Sequence, residues 1–335
     1  MPPKTKIAPP GTVCVPDARK LGTPAPHAIL APADDLPLQT VHRWLTQPGR
    51  GTTQKLTNAV DDAVRNVLDG ARTRRFDLTS PEVDRDERTT VGTKLQYYVL
   101  EELELPKVPP LDTLVLDVAV EIKTTVSKSV MVPPEGQCEV TLMIQIDANR
   151  QQFASWLMRT HRSWLGGPAK PGQRDSKRSP FVDAVRLYAL PVVPWTPLPP
   201  EPLRLLRPDE VAAVLPRKVS RTRGEGLASR LTALFGYLPE VVIPRKSILT
   251  VGAGLDDPLR RARETKERTW DAHQLIVLVG KWTYQKELAA RLGLDISGAA
   301  WVAVTPERFT KYGESIPTLT ELTELTERYG KVTDR

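Results

Sequence analysis

The chain has 335 residues, 40% of them apolar, a net charge of +7 and a pI near 9.4. That length and composition fit about two globular domains. No apolar run approaches the roughly 20 residues needed to span a bilayer, and the N-terminus has no apolar signal core, so a soluble cytoplasmic protein is expected. Cys14 and Cys138 form no CxxC pair, and four scattered histidines (His27, His42, His161, His273) argue against a structural zinc site. Any metal is expected on oxygen ligands, which favours magnesium or a similar hard ion. Residues 151–230 hold 14 basic against 6 acidic side chains. That concentration points to a polyanion partner, or else to a plain solvated surface.

Residues 1–40 are rich in Pro, Ala and Thr without a steady period, so a disordered extension is expected. "TQKLTNAVDDAVRNVLDGARTRRF" places Leu56, Val60, Val64, Val67 and Leu68 on one helical face, with Gly70 as its end. A second helix is expected over 93–104, stopped by Pro106, Pro109 and Pro110. Strands follow in 111–129 and 137–148, and "RQQFASWLMRTHRSWL" reads as helical. Together these predict an α/β domain over 41–190. The proline-dense stretch 191–210 reads as a stiff linker. A mainly helical unit is expected over 211–320, with a tail at 321–335. Within that unit Asp257 is a candidate N-cap followed by Pro258, and strands in "HQLIVLVG" and "AAWVAVTP" flank a helix in "YQKELAARLGL".

The stretch "LDTLVLDVAVEIK" sets acids among apolar residues. Strand alternation puts Val118, Val120 and Ile122 on one face, and Ala119, Glu121 and Lys123 on the other. Glu121 and Lys123 are then about 6.6 Å apart along the strand and can converge on one group. Asp117, about 13 Å from Glu121, is too far to share a magnesium ion. Asp112 is the better partner if the chain turns near Leu116–Asp117, although that turn lacks a glycine. Two carboxylates can hold a metal against a scissile phosphate, and a lysine can serve the attacking water. The same pattern also arises on the wet face of an edge strand.

The flanking sequence narrows the choice. "VLDGARTRRF", "ERTTVGTKLQYYVLEELEL", "LDTLVLDVAVEIK", "SKSVMVPPEG", "IQIDANRQQFASWLMR", "GQRDSKR", "DDPLRRARE" and "ELAARLGL", in that order, resemble the NaeI family of type II restriction endonucleases over about 41–305. The helix–hairpin section is also similar to MutH, a mismatch-repair nicking endonuclease. The resemblance implies a mixed sheet flanked by helices in a restriction-endonuclease-like α/β core. It also implies a helix-turn-helix domain of the catabolite-activator type. The expected protein is a homodimeric, Mg2+-dependent enzyme that binds two DNA duplexes, one as effector. By matching positions, Asp112, Glu121 and Lys123 fall on the catalytic acid, acid and lysine, with Asp112 and Glu121 as metal ligands. Four residues after Gly92, where these families usually carry glutamate, this chain has Gln96. A glutamine oxygen can touch a metal but brings no charge. "VLDGAR" is similar to the nucleotide-carrying motif of DNA ligases, but Val67 stands where the lysine is needed. Arg72 and Arg74 are then expected near DNA.

Candidate DNA contacts are Lys170, Arg174, Lys177 and Arg178 in a basic loop, and Arg260, Arg261 and Arg263 on a candidate recognition helix. "PRKVSRTRGEG" is a further candidate for phosphate contact. The alternatives to a site-specific endonuclease are a MutH-type nicking enzyme and a DNA-binding protein with an impaired nuclease site.

Overall fold

The computed structural model describes residues 7–15, 26–128, 130–166, 178–216, 226–253 and 255–332. Two compact units are present. One comprises Met1–Leu68 with Leu78–Pro199, the other Asp69–Asp77 with Pro200–Arg335.

The first unit opens with two short paired strands, β1 (Val13–Cys14) and β2 (His27–Ala28), followed by helices α1 (Leu36–Thr46) and α2 (Thr52–Leu68). After α3 (Gly70–Thr73), which belongs to the second unit, come α4 (Arg85–Glu102), β3 (Thr113–Val115), β4 (Val118–Thr125), β5 (Val140–Asp147), β6 (Gln152–Arg159), α5 (Val182–Tyr188) and β7 (Leu190–Pro197). The sheet order is β3-β4-β5-β6-β7. Only β4 and β5 run parallel, so the sheet is mixed. Helix α4 begins earlier than its apolar period suggests, because Asp84 and Glu87 form a reciprocal capping box over a polar first turn.

One face of the sheet, through Val120, Ile122, Leu142, Ile144, Phe153 and Leu157, packs with residues of α1, α2 and α4. The opposite face, through Met143 and Met158, packs with Cys14, Ile29, Trp164 and Ala184. Residues 7–15 and 26–35 are therefore part of this fold and not a disordered extension. Trp164 Nε1 donates to the Ala8 carbonyl at 2.8 Å. Asp35 caps α1 by accepting from the Leu38 amide, and also holds Arg159 of β6. Low hydropathy concealed this segment, because its few apolar side chains are all it needs to close a sheet face.

Two further expectations are corrected. "QFASWLMR" is strand β6, not a helix. Both its faces are covered, so the period-2 pattern that marks a half-buried strand is absent. "LPVVPWTP" is edge strand β7, not part of a linker. Its prolines are tolerated because it has only one hydrogen-bonded neighbour.

The second unit contains α6 (Pro208–Val214), α7 (Leu227–Tyr237), α8 (Arg245–Val251), α9 (Pro258–Glu264), α10 (Lys266–His273), β8 (Ile276–Val279), α11 (Thr283–Arg291), β9 (Trp301–Val304), α12 (Pro306–Lys311) and α13 (Leu319–Tyr329). Residues 319–329 are thus a helix rather than a tail. The β8–β9 pair is covered on both faces: Val277, Val279 and Trp301 point to one helical layer, and Ile276, Leu278 and Val302 to the other. Phe76 packs into the first of these cores, and Arg74 Nη2 donates to the Leu215 carbonyl. The domain boundary is therefore discontinuous, because the ligase-like "DGARTRRFD" segment folds with the C-terminal unit. Asp69, at φ +42°, makes the sharp turn that redirects the chain there.

Candidate active site

Strands β3 and β4 form a two-residue hairpin, with Val115 opposite Val118. Leu116 and Asp117 both take positive φ, +47° and +65°. This is the primed turn that matches strand twist, made here without glycine. Asp117 is exposed at its tip. Asp112 stands just before β3. Its amide donates to the Val120 carbonyl at 3.2 Å, and its Oδ2 accepts from the Ile122 amide at 2.8 Å. Those two bonds bracket Glu121 and bring its neighbourhood to Asp112.

Both acids are deeply buried, Asp112 at 5% exposure and Glu121 at 2%. Glu121 lies on an interior strand and is covered by the turn at Pro134–Gly136. A wet edge-strand face is therefore ruled out as the reason for the acids. A side chain at position 136 would lie 3.0 Å from Glu121 Cγ, so glycine is what lets that turn close over the carboxylate. Lys123 Nζ lies 2.6 Å from Glu121 Oε1, and Lys107 Nζ 2.9 Å from Asp112 Oδ1. Burial pushes the Glu121 carboxyl up to about 7; Lys123 opposes this, while the charges of Asp112 and Glu135 add to it.

Helix α4 supplies the third side of the site. Gly92 packs directly on β4, where the Thr124 hydroxyl donates to its carbonyl at 2.8 Å. One turn on, Gln96 donates through Nε2 to Asp112 Oδ1. The structure thus gathers Asp112, Glu121 and Lys123, which strand spacing brought together, with Gln96, which the family resemblance pointed to. It adds Lys107 and Glu135, which spacing did not single out. Lys107 sits in a proline-rich connection with no periodic signal, and Glu135 reaches the site only because the chain returns over β4.

The oxygens gathered here come from two buried acids, Asp112 and Glu121, with Glu135 nearby and the Gln96 amide nitrogen turned toward Asp112. Burial chiefly raises the Glu121 carboxyl and two neighbouring acids add to it; a divalent cation would relieve both effects, and hard oxygen donors fit such an ion.

The candidate DNA contacts divide differently. Lys170, Arg174, Lys177 and the 217–225 part of "PRKVSRTRGEG" lie outside the described residues. Arg178 is engaged in the fold: it bridges Val132 and donates to the Gly166 carbonyl at 3.0 Å. The candidate recognition helix divides at Thr265, whose hydroxyl turns back to the Ala262 carbonyl. Asp257 does cap α9, accepting from the Arg260 amide. Arg260 pairs with Asp257 at 3.0 Å and Arg261 with Glu264 at 2.9 Å, both at an exposed surface. The charges of Arg263, then Lys331 and Arg245, lower the pKa of half-buried Lys281. Like charges held together in this way form a patch suited to a polyanion.

The family model for the restriction endonuclease NaeI matches residues 47–311. This chain belongs to the NaeI restriction endonuclease family. It is accordingly a nuclease, a hydrolase of a restriction–modification system, with DNA as its partner. No curated protein matches the chain. No described helix is long and apolar enough to cross a membrane.

Proposed function

We propose that this NaeI-family chain is a type II site-specific endonuclease that hydrolyses double-stranded DNA with magnesium, in the cytoplasm and as a homodimer. The observation that carries the reading is the buried Asp112–Glu121 pair with Lys123 2.6 Å from Glu121. Asp112 and Glu121 would hold the ion, with Gln96 adjoining through Asp112. When bound, magnesium supplies charge neutralisation at the scissile phosphate. Lys123 orients the attacking water and offsets the charge that grows on the phosphate oxygens. Water adds to phosphorus, the bond to O3′ breaks, and the products are a 5′-phosphate and a 3′-hydroxyl.

The second unit, on this reading, is a helix-turn-helix domain that binds a second duplex as effector. Support comes from Arg260 and Arg261 on exposed α9 and from the Arg245–Arg263–Lys281–Lys331 charge patch.

Supercoiled plasmid incubated with the protein and magnesium tests the activity. Linear products are expected. Nicked circles alone would indicate a MutH-like enzyme, and a mobility shift without cleavage would indicate a DNA-binding protein with an impaired site. Asp112→Ala, Glu121→Ala and Lys123→Ala should each abolish cleavage while leaving metal-free DNA binding, which rests on phosphate contacts. Full cleavage by Asp112→Ala would remove Asp112 from the metal-holding role; Asp117, which the sequence offered as the other acid, lies exposed at the hairpin tip and could not replace it.

A further inference from the structure

The N-terminal hairpin brings together what the sequence scatters. Cys14 on β1 pairs in register with His27 on β2. Cys138 follows the turn that covers Glu121, and His161 follows β6. One ligand-capable atom from each of these four residues lies within 4.8 Å of every other. The histidine spacing that argued against a zinc site is thus overturned by the fold, since the four residues come from four separate segments.

We propose that Cys14, His27, Cys138 and His161 bind a zinc ion that ties the N-terminal hairpin to the catalytic sheet. The distances fit such an ion. Tetrahedral zinc with ordinary bond lengths sets two sulfurs about 3.8 Å apart and two nitrogens about 3.3 Å apart. Here the two sulfurs are 3.7 Å apart, and His27 Nε2 lies 3.2 Å from His161 Nδ1. Both cysteines are reduced and buried, and neither lies at disulfide bonding distance from the other. The surroundings also fit. The Arg162 amide donates to Cys138 Sγ at 3.4 Å, a bond that favours a thiolate. His161 packs edge-on against Trp164, fixing its ring plane. Thiolate and imidazole donors select zinc over magnesium, so this site would not compete for the catalytic ion. On binding, the two thiol protons leave to solvent, and two thiolates balance the ion's two charges.

The position gives the ion a further consequence. The Cys138 amide donates to the Thr160 carbonyl at 2.8 Å, and the Thr160 hydroxyl donates to the Gly136 carbonyl at 2.8 Å. Cys138 and His161 thus hold the two chain segments that press Gly136 against Glu121. Zinc would act as a positioning element for the catalytic carboxylate, with no contact to DNA required.

The test is metal analysis of the full chain, purified without chelator or affinity tag. One equivalent of zinc per chain is expected, and it should be lost in Cys14→Ser and in His27→Ala. Cobalt exchanged into the wild-type protein should give a thiolate-to-metal charge-transfer band, and zinc should protect both thiols from a thiol reagent. These readouts do not depend on cleavage, so an inactive enzyme would leave them intact. If the variants fail to fold, the wild-type stoichiometry and cobalt spectrum still decide. A folded chain that takes up no stoichiometric zinc from added salt, or one in which mass analysis finds Cys14 and Cys138 joined as a disulfide, would overturn the proposal.

Discussion

The carboxyl of Glu121 titrates near pH 7 because it is buried and because Asp112 and Glu135 lie near it, with Lys123 pulling the other way. In the unfolded chain it would titrate near 4.5, so the folded protein keeps a proton that the unfolded chain sheds. Its contribution to stability is therefore complete below about pH 4.5 and is lost as pH rises to about 7. The loss is on the order of 3 kcal/mol. Glu121→Gln, a neutral isostere, should flatten that slope in denaturant titrations run with a chelator. An unchanged slope would place the titration elsewhere. Gln96 poses the complementary question. Its amide donates to Asp112, so Gln96→Glu replaces a donor by a fourth acid beside Asp112, Glu121 and Glu135. Without metal the variant should melt at lower temperature, because clustered acids repel. With magnesium the added charge should win, since the ion neutralises most of that repulsion. Half-maximal cleavage should then need less magnesium. A magnesium titration showing equal or greater need would mean that glutamine is already the adapted partner.

Helix α4 packs most tightly on β4 at Gly92. A methyl group at position 92 would lie 2.8 Å from the Thr124 hydroxyl and 3.4 Å from its carbonyl oxygen. Gly92→Ala should therefore lift α4 from β4, costing about 1–3 kcal/mol. It should also draw Gln96 away from Asp112 and slow cleavage. Thermal melting and single-turnover cleavage check the two effects, and an unchanged melting temperature would show that the contact yields freely. Elements of this kind were legible where pattern and geometry coincide. The hairpin acids, the body of α4 and the Asp257 cap follow from local spacing, whereas Gln96 was marked only by the family resemblance. Strand β6 was not legible, because covering both its faces erases alternation. Strand β7 was hidden by prolines that only an edge position tolerates. The Cys14–His27–Cys138–His161 cluster depends on four segments meeting, which no local spacing encodes.

At the scale of the molecule, charge and acid chemistry are divided between the two units. The buried acids lie in the first unit and the exposed arginines of α9 in the second. If the second unit holds its own duplex, loss of its charges should alter binding stoichiometry before it alters the chemistry of the first unit. Arg260 and Arg261 are half exposed, and each is paired with an acid of its own helix or cap. Such surface pairs are worth little, so a phosphate can displace them at small cost. Reversal of both to glutamate leaves Asp257 and Glu264 facing further negative charge, which repels DNA and adds to the loss of attraction. Each phosphate contact removed should lower the salt dependence of binding by about 0.9 in log–log slope. The expected outcome for Arg260→Glu with Arg261→Glu is therefore weaker uptake of a second duplex, a shallower salt dependence and slower cleavage of single-site plasmids. Two-site plasmids should lose less, because a tethered second site raises its own effective concentration. A DNA titration with wild-type stoichiometry and an unchanged salt slope would remove α9 from the DNA-binding surface and leave the Arg245–Arg263–Lys281–Lys331 patch as the next face to test.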